Sequence, residues 1–163
     1  MEVRSWSKLL ANRLMVSHYK GKEVRRMIES VNLLALLVAA LASMGIGFLW
    51  YSPFLLGKPW MKLMGYSESD LKAAQKEMGT GYLLSLIATI VTVFVLAQVF
   101  NWIVPNTLTT ALVVSLMLWI GFIAPVQFSD VVFGRKPMNL YLINTGYQLV
   151  SVLVMGTILF YLR

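Results

Sequence analysis

Three polar side chains, Asn144, Gln148 and Ser151, recur at positions i, i+4 and i+7 of an otherwise apolar stretch. At about 3.6 residues per turn, that spacing stacks them on one face of a helix. Amides and a hydroxyl donate and accept hydrogen bonds but carry no charge, so they can grip an uncharged group and cannot act as acid or base near neutral pH. Facing hydrocarbon unpaired, each would cost several kcal/mol, so this face is expected to look into the protein. Thr89, Thr92 and Gln127 on neighbouring apolar stretches are the candidate partners. Two roles stand open for the stripe: glue between helices, or the lining of a pocket or path for an uncharged solute.

A second group lies where apolar stretches end. Trp50, Tyr51, Lys58 and Trp60 follow the first, with Pro53 and Gly57 among them; Asp130, Arg135 and Lys136 follow the third, around Gly134. Aromatic and basic residues in such places suit the headgroup layer of a bilayer. They form a candidate site for headgroups or a partner protein, with Tyr147 of the polar helix nearby in sequence terms. Asp130 has no second carboxylate or histidine beside it in sequence, so an ion pair at a helix end is the simplest role for it.

The remaining chemistry is restricted by what is missing. The chain has no cysteine, and its one histidine, His18, lies in a basic segment. Thiolate chemistry and histidine clusters are therefore excluded. No Asp, Glu, Lys or Arg lies in the middle of an apolar stretch, whereas ion-coupled transport normally places ionisable groups there. The expectation is a protein without catalytic, cofactor-binding or metal-binding residues, and not an enzyme.

The elements that must position these residues follow from composition. Of 163 residues, 58% are hydrophobic and 13% charged, against about 45–50% and about 25% in soluble domains. The apolar residues fall into four blocks, at about 31–51, 81–104, 108–128 and 140–162. Each matches the ~20 residues needed to cross a hydrocarbon core. In the second, Tyr82–Phe100 holds twelve Leu, Ile, Val or Phe, which favour insertion by about 4–7 kcal/mol before polar corrections. Period-2 alternation is absent, so the blocks are helices. The fold expected is all-α: an integral membrane four-helix bundle with a short interfacial helix after the first span. That short helix is placed in the second half of the 52–80 connection, capped by Ser67 or Ser69 and closed by Gly79, with Trp60, Met61, Leu63 and Met64 of the first half in the headgroup layer.

Residues 1–26 carry seven basic and two acidic groups, net +5, so most of the formal charge of +7 lies there. Beside a membrane span, this charge points to anionic lipid rather than nucleic acid. Trp6, Leu9, Leu10, Arg13 and Leu14 follow helical spacing; the competing reading is that Met27 is the natural start. Four spans put both ends of 27–163 on one side. The opposite loops, 52–80 and 129–139, carry six Lys or Arg against Arg163 alone, which places those loops in the cytoplasm and the protein in the cell membrane. Counting the tail reverses the balance to six against eight.

Helices in lipid associate through small residues and hydrogen bonds. Ala35, Ala39, Ser43 and Gly47 repeat every fourth position in the first block, and Gly81 and Ser85, followed by Thr89, do so in the second. Gly47-Phe48 leads to GKPWMKL and Gly121-Phe122 to GRKPMNL, which is compatible with a two-plus-two repeat or with convergent use of Gly, Lys and Pro at an interface.

The segments GFLWYSPFLLGKPWMKLMG, WIGFIAPVQFSDVVFGRKP and LYLINTGYQLVSVLVMGTIL together resemble the DUF1761 family. The LWYSP–GK–W and LIN-GY portions carry the resemblance, which spans about 31–163 and leaves out the basic tail. It implies a small membrane protein with four helices and supplies no active site. The function expected is that of a non-catalytic accessory or self-associating bundle, with a homo-oligomer or membrane partner protein; the alternative is a small oligomeric transporter or channel for an uncharged or lipophilic solute.

Overall fold

The computed structural model describes residues 31–66 and 78–162, together with Arg13. The helix expected around Trp6–Leu14, the Met27 start and the stretch 67–77 lie outside the described residues. The rest is all-α: α1 (Leu33–Trp50), α2 (Gly57–Met64), α3 (Met78–Ile103), α4 (Leu108–Val132) and α5 (Met138–Leu162), with no strand among the described residues. All but α2 are long and apolar enough to cross a membrane.

Local chemistry sets the helix ends. The Asn32 side chain accepts from the backbone N–H groups of Leu34 (3.0 Å) and Ala35 (3.3 Å), capping α1. Its amide nitrogen donates to the Leu162 carbonyl at 2.6 Å, tying the start of α1 to the end of α5. One amide thus answers orphan groups at two helix ends. Thr107 Oγ1 caps α4 by accepting from Thr110 N at 3.2 Å. Gly65, at φ +73°, ends α2 in a left-handed turn.

A short helix, α2, lies in the first half of the 52–80 connection, where only headgroup-layer chain was expected; the helix expected over the second half falls largely outside the described residues. Gly57-Lys58-Pro59 opens α2: proline is well placed in a first turn, where its missing N–H is not needed. Gly79 does not close a helix but lies near the start of α3. The third span also runs past the expected residue 128 to Val132. Asp130 belongs to its last turn, where a carboxylate opposes the helix dipole. Lys136 turns back to it, with Nζ 2.6 Å from Oδ2.

Within α4, residues Trp119–Ile123 form a π-helical turn. Pro125 explains it. A proline lacks an N–H and presses on the carbonyl four residues earlier, here Gly121. Widening the turn, with Ala124 N–H donating to the Trp119 carbonyl, relieves that pressure without breaking the rod.

α5 is the centre of the bundle. It packs most extensively on α4 and α1, while α3 rests mainly on α1 and α2 leans on α5. Although joined by residues 104–107, α3 and α4 are not major packing partners of each other. The buried core gathers at the end of the bundle where that turn lies: Ala35, Ala39, Phe100, Ala111, Met155 and Leu159 belong to it. There Gly156 lets α5 approach α4 so closely that an added Cβ would strike Ser115 Oγ, with Phe100 of α3 at 3.5 Å. Small residues provide this close approach, as expected where lipid removes most of the hydrophobic drive between helices. At the opposite end α3 diverges, and Gly81, Tyr82, Leu83, Leu84 and Ser85 are all exposed.

Candidate functional site

The first two turns of α5 beyond its start are a hydrogen-bonding hub. Asn144 Oδ1 accepts from the Tyr51 hydroxyl (3.2 Å) at the end of α1 and from Trp60 Nε1 (3.1 Å) on α2. Trp50 Nε1 donates to the Ile143 carbonyl and Trp119 Nε1 to the Thr145 carbonyl, each at 3.0 Å. In the other direction, the Tyr141 hydroxyl donates to the Ala124 carbonyl of α4 at 3.2 Å. Three indoles and two phenols therefore fasten α1, α2 and α4 to one segment of α5. Each ring brings a large apolar body and one polar atom that needs a partner when removed from water. Tyr51 stands just past the α1 span, and burial first, then Tyr147, pushes its phenol up to about 12; it serves as a neutral donor.

Beside this hub opens a cleft of about 300 Å³ between α1, α3 and α5, lined by Met44, Gly47, Phe48, Tyr51, Tyr82, Ser85, Thr89 and Tyr147. Aromatic pairs flank it: Phe48 with Tyr82 at 5.1 Å and Tyr51 with Tyr147 at 5.4 Å between ring centroids. The Tyr147 hydroxyl reaches the Ser43 carbonyl only at 3.5 Å, the outer limit of a hydrogen bond. Gly47 makes room for that ring, since a Cβ there would lie 3.2 Å from the Tyr147 oxygen. Further along α3, a groove of about 400 Å³ runs between α3 and α4, floored by Val152 of α5 and lined by Val91, Thr92, Val95, Leu96, Leu118, Phe122 and Ile123. Thr89 in the cleft and Thr92 in the groove are three residues apart, about 4.5 Å along the helix. The cleft lies between α3 and α1 and the groove between α3 and α4, with hydroxyls among the lining residues of the first and almost none in the second. We refer to them together as the crevice.

The hydroxyls differ in their partners. Thr92, Ser115, Thr145 and Thr157 each donate to the carbonyl four residues earlier, at 2.7–3.0 Å. Ser85 and Thr89, which line the cleft, form no such bond among the described residues.

The predicted residues fall into distinct places. Asn144 pairs with Tyr51 and Trp60, joining the two predicted groups, rather than with Thr89, Thr92 or Gln127. Gln148 is half-buried, and Ser151 is buried with its hydroxyl unpartnered, as is Ser43. Gln127 shares a pocket of about 20 Å³ with Asp130, Lys136, Tyr141 and Asn144. Ala35, Ala39 and Ser43 are packed inside the chain, whereas Gly81 and Ser85 are exposed. Lys58 and Arg135 are exposed, and no ion pair or hydrogen bond joins them among the described residues. Arg135 takes the left-handed conformation at φ +53°.

Trp119, Tyr82, Tyr141 and Thr145 went unnoticed in the sequence. Trp119 carried a usable signal: it stands mid-span, away from the interfaces where tryptophan usually finds water, so its N–H must meet a protein acceptor. No group of three His, Asp or Glu able to hold a metal occurs among the described residues. The chemistry of the crevice is hydrogen bonding from neutral hydroxyls beside an apolar slot.

The sequence profile of the family described as protein of unknown function (DUF1761) matches residues 34–160. Neither a curated protein nor a solved structure matches the chain at a significant level. With nearly all of the helical region covered, the chain belongs to the DUF1761 family.

Proposed function

We propose that this DUF1761 member is a non-catalytic membrane protein that holds one lipophilic molecule in the crevice beside α3. The observation that carries this is the pair of hydroxyls, Ser85 and Thr89, without a hydrogen bond among the described residues, in a cleft followed further along α3 by an apolar groove. In lipid an unpaired hydroxyl is costly, and a bound molecule with polar atoms would answer both. The small residues of α1 are already used against the chain's own helices, which removes their support for self-association. The test is native mass spectrometry of the protein taken from its membrane in mild detergent. The wild type should retain one non-covalent lipophile per chain, and Ser85→Trp, which fills the cleft from an exposed position, should lose it. Equal retention by both would end this reading.

A second reading, a homo-oligomer or a complex with a membrane partner, is favoured by α4. Only 11% of its span is buried within the chain, against 28–33% for the other three. Because the chain has no cysteine, a single Met117→Cys on the exposed side of α4 tests it in native membranes. A cross-linked dimer supports a second copy, and a heavier adduct supports a different polypeptide. In either reading the basic segments 52–80 and 129–139 face the cytoplasm; a tag at Arg163 should then be reached only from the other side.

A further inference from the structure

The crevice has a polarity gradient that specifies more than a generic lipophile. Resting on the reading that the crevice is the binding site, we propose that its ligand is an uncharged, single-tailed amphiphile whose head carries hydroxyl or carbonyl oxygens. Tyr51 and Tyr82 stand at the mouth, near the ends of their helices, with Tyr147 facing them across the cleft. Ser85 and Thr89 follow inward along α3, and the groove beyond Thr92 is lined by Val91, Val95, Phe122 and Val152. From Tyr82 to Val95 the path along α3 is thirteen residues, or about 20 Å, the reach of one extended lipid tail.

Three features select the head. Among the described residues, no Asp, Glu, Lys, Arg or His lines either space, so a charged head would lose water and gain no counter-charge from them. Hydroxyls can donate to a carbonyl or exchange bonds with a hydroxyl. The Tyr147 phenol is free to turn toward a ligand at little cost, since its present bond to the Ser43 carbonyl is 3.5 Å long. Size argues against a partner helix as occupant. About 20 Å of helix, even at a diameter of about 10 Å, fills roughly 1,600 Å³, whereas the cleft and groove offer about 300 and about 400 Å³.

The same chemistry could come from a monoacylglycerol or from a prenylquinone with one tail, and the experiment separates them. Protein in nanodiscs is titrated with three probes: a monoacylglycerol, a prenylquinone and a lysophosphatidylglycerol of tail length matched to the first. Native mass spectrometry reads occupancy, and the thermal midpoint confirms that each variant is folded. The wild type should bind at least one neutral probe roughly tenfold better than the charged probe, and the preferred neutral probe names the source. Tyr147→Phe should weaken that probe roughly three- to tenfold, the loss of one hydrogen bond, and leave the charged probe unchanged. Ser85→Trp should remove both kinds of probe. Equal binding of neutral and charged probes, with loss of both in Ser85→Trp, overturns the inference about the head and spares the crevice. Probe binding that is unchanged in Ser85→Trp overturns both.

Discussion

At the end of the bundle near Pro105, the helices meet through Ala35, Ala39, Ala97, Ala111 and Gly156, and side chains as small as these bring backbones into close contact. At the opposite end, the same helices are kept apart by Trp50, Tyr51, Trp60, Trp119 and Tyr147 and are joined by directional hydrogen bonds to one stretch of α5. The contrast follows from the solvent. Lipid gives helices little reason to hide apolar surface, so they associate either by close fit or by pairing polar atoms. Close fit leaves no space. Pairing at the tips of large rings fixes the helices but leaves gaps between the rings, and α3, which makes none of the hub bonds described for α5, borders the gaps that remain.

Four substitutions would break or sharpen this contrast. The largest effect is expected from Asn144→Leu, which takes the acceptor from both Tyr51 and Trp60. With each stranded donor costing about 1–3 kcal/mol, the loss should reach about 2–4 kcal/mol in reversible detergent unfolding, and α2 should become accessible to protease at Lys58 and Lys62. At the close-fitted end, Gly156→Ala should cost about 1–3 kcal/mol, because the new methyl meets Ser115 and Phe100. The same change at the open end should have the opposite sign: Gly81 has nothing within 4 Å of an added Cβ, so Gly81→Ala should stabilise by about 0.5–1 kcal/mol through helix propensity. A destabilised Gly81→Ala would mean that α3 is more closely packed than described. Val104, a β-branched residue at φ +49° and largely exposed, should tolerate Val104→Gly with a gain of up to about 1 kcal/mol; the thermal midpoint reads all of these.

The four spans were legible because length and lack of charge suffice to mark them. Their packing was much less so. The spans are apolar on nearly every side, so periodicity does not separate a lipid-facing side from a protein-facing one. The stripe Asn144–Gln148–Ser151 fixed a face, but spacing along one helix cannot name a partner 84 or 93 residues away. Small residues at fourfold spacing pointed equally to α1 and α3, yet in α1 Ala35, Ala39 and Ser43 are buried, whereas in α3 Gly81 and Ser85 are exposed. The difference lies in where the Pro105 turn aims α3, which no local pattern encodes. The short helix α2 was not legible because Gly57-Lys58-Pro59 starts a helix that lacks a side-chain cap.

The π-helical turn at Trp119–Ile123 has a consequence for register. It stores one residue more than an α-helical turn would use, so everything in α4 beyond it is rotated by about 100° relative to an uninterrupted helix. That rotation sets the azimuth at which Gln127 and Asp130 reach the pocket they share with Asn144, while Trp119 stays aimed at Thr145. The lower part of α4 is thus indexed separately from the upper part, like two gears keyed to one shaft at different angles. Removing one residue from this turn would leave the hydrophobic length of the span almost unchanged and still misdirect every side chain that follows it.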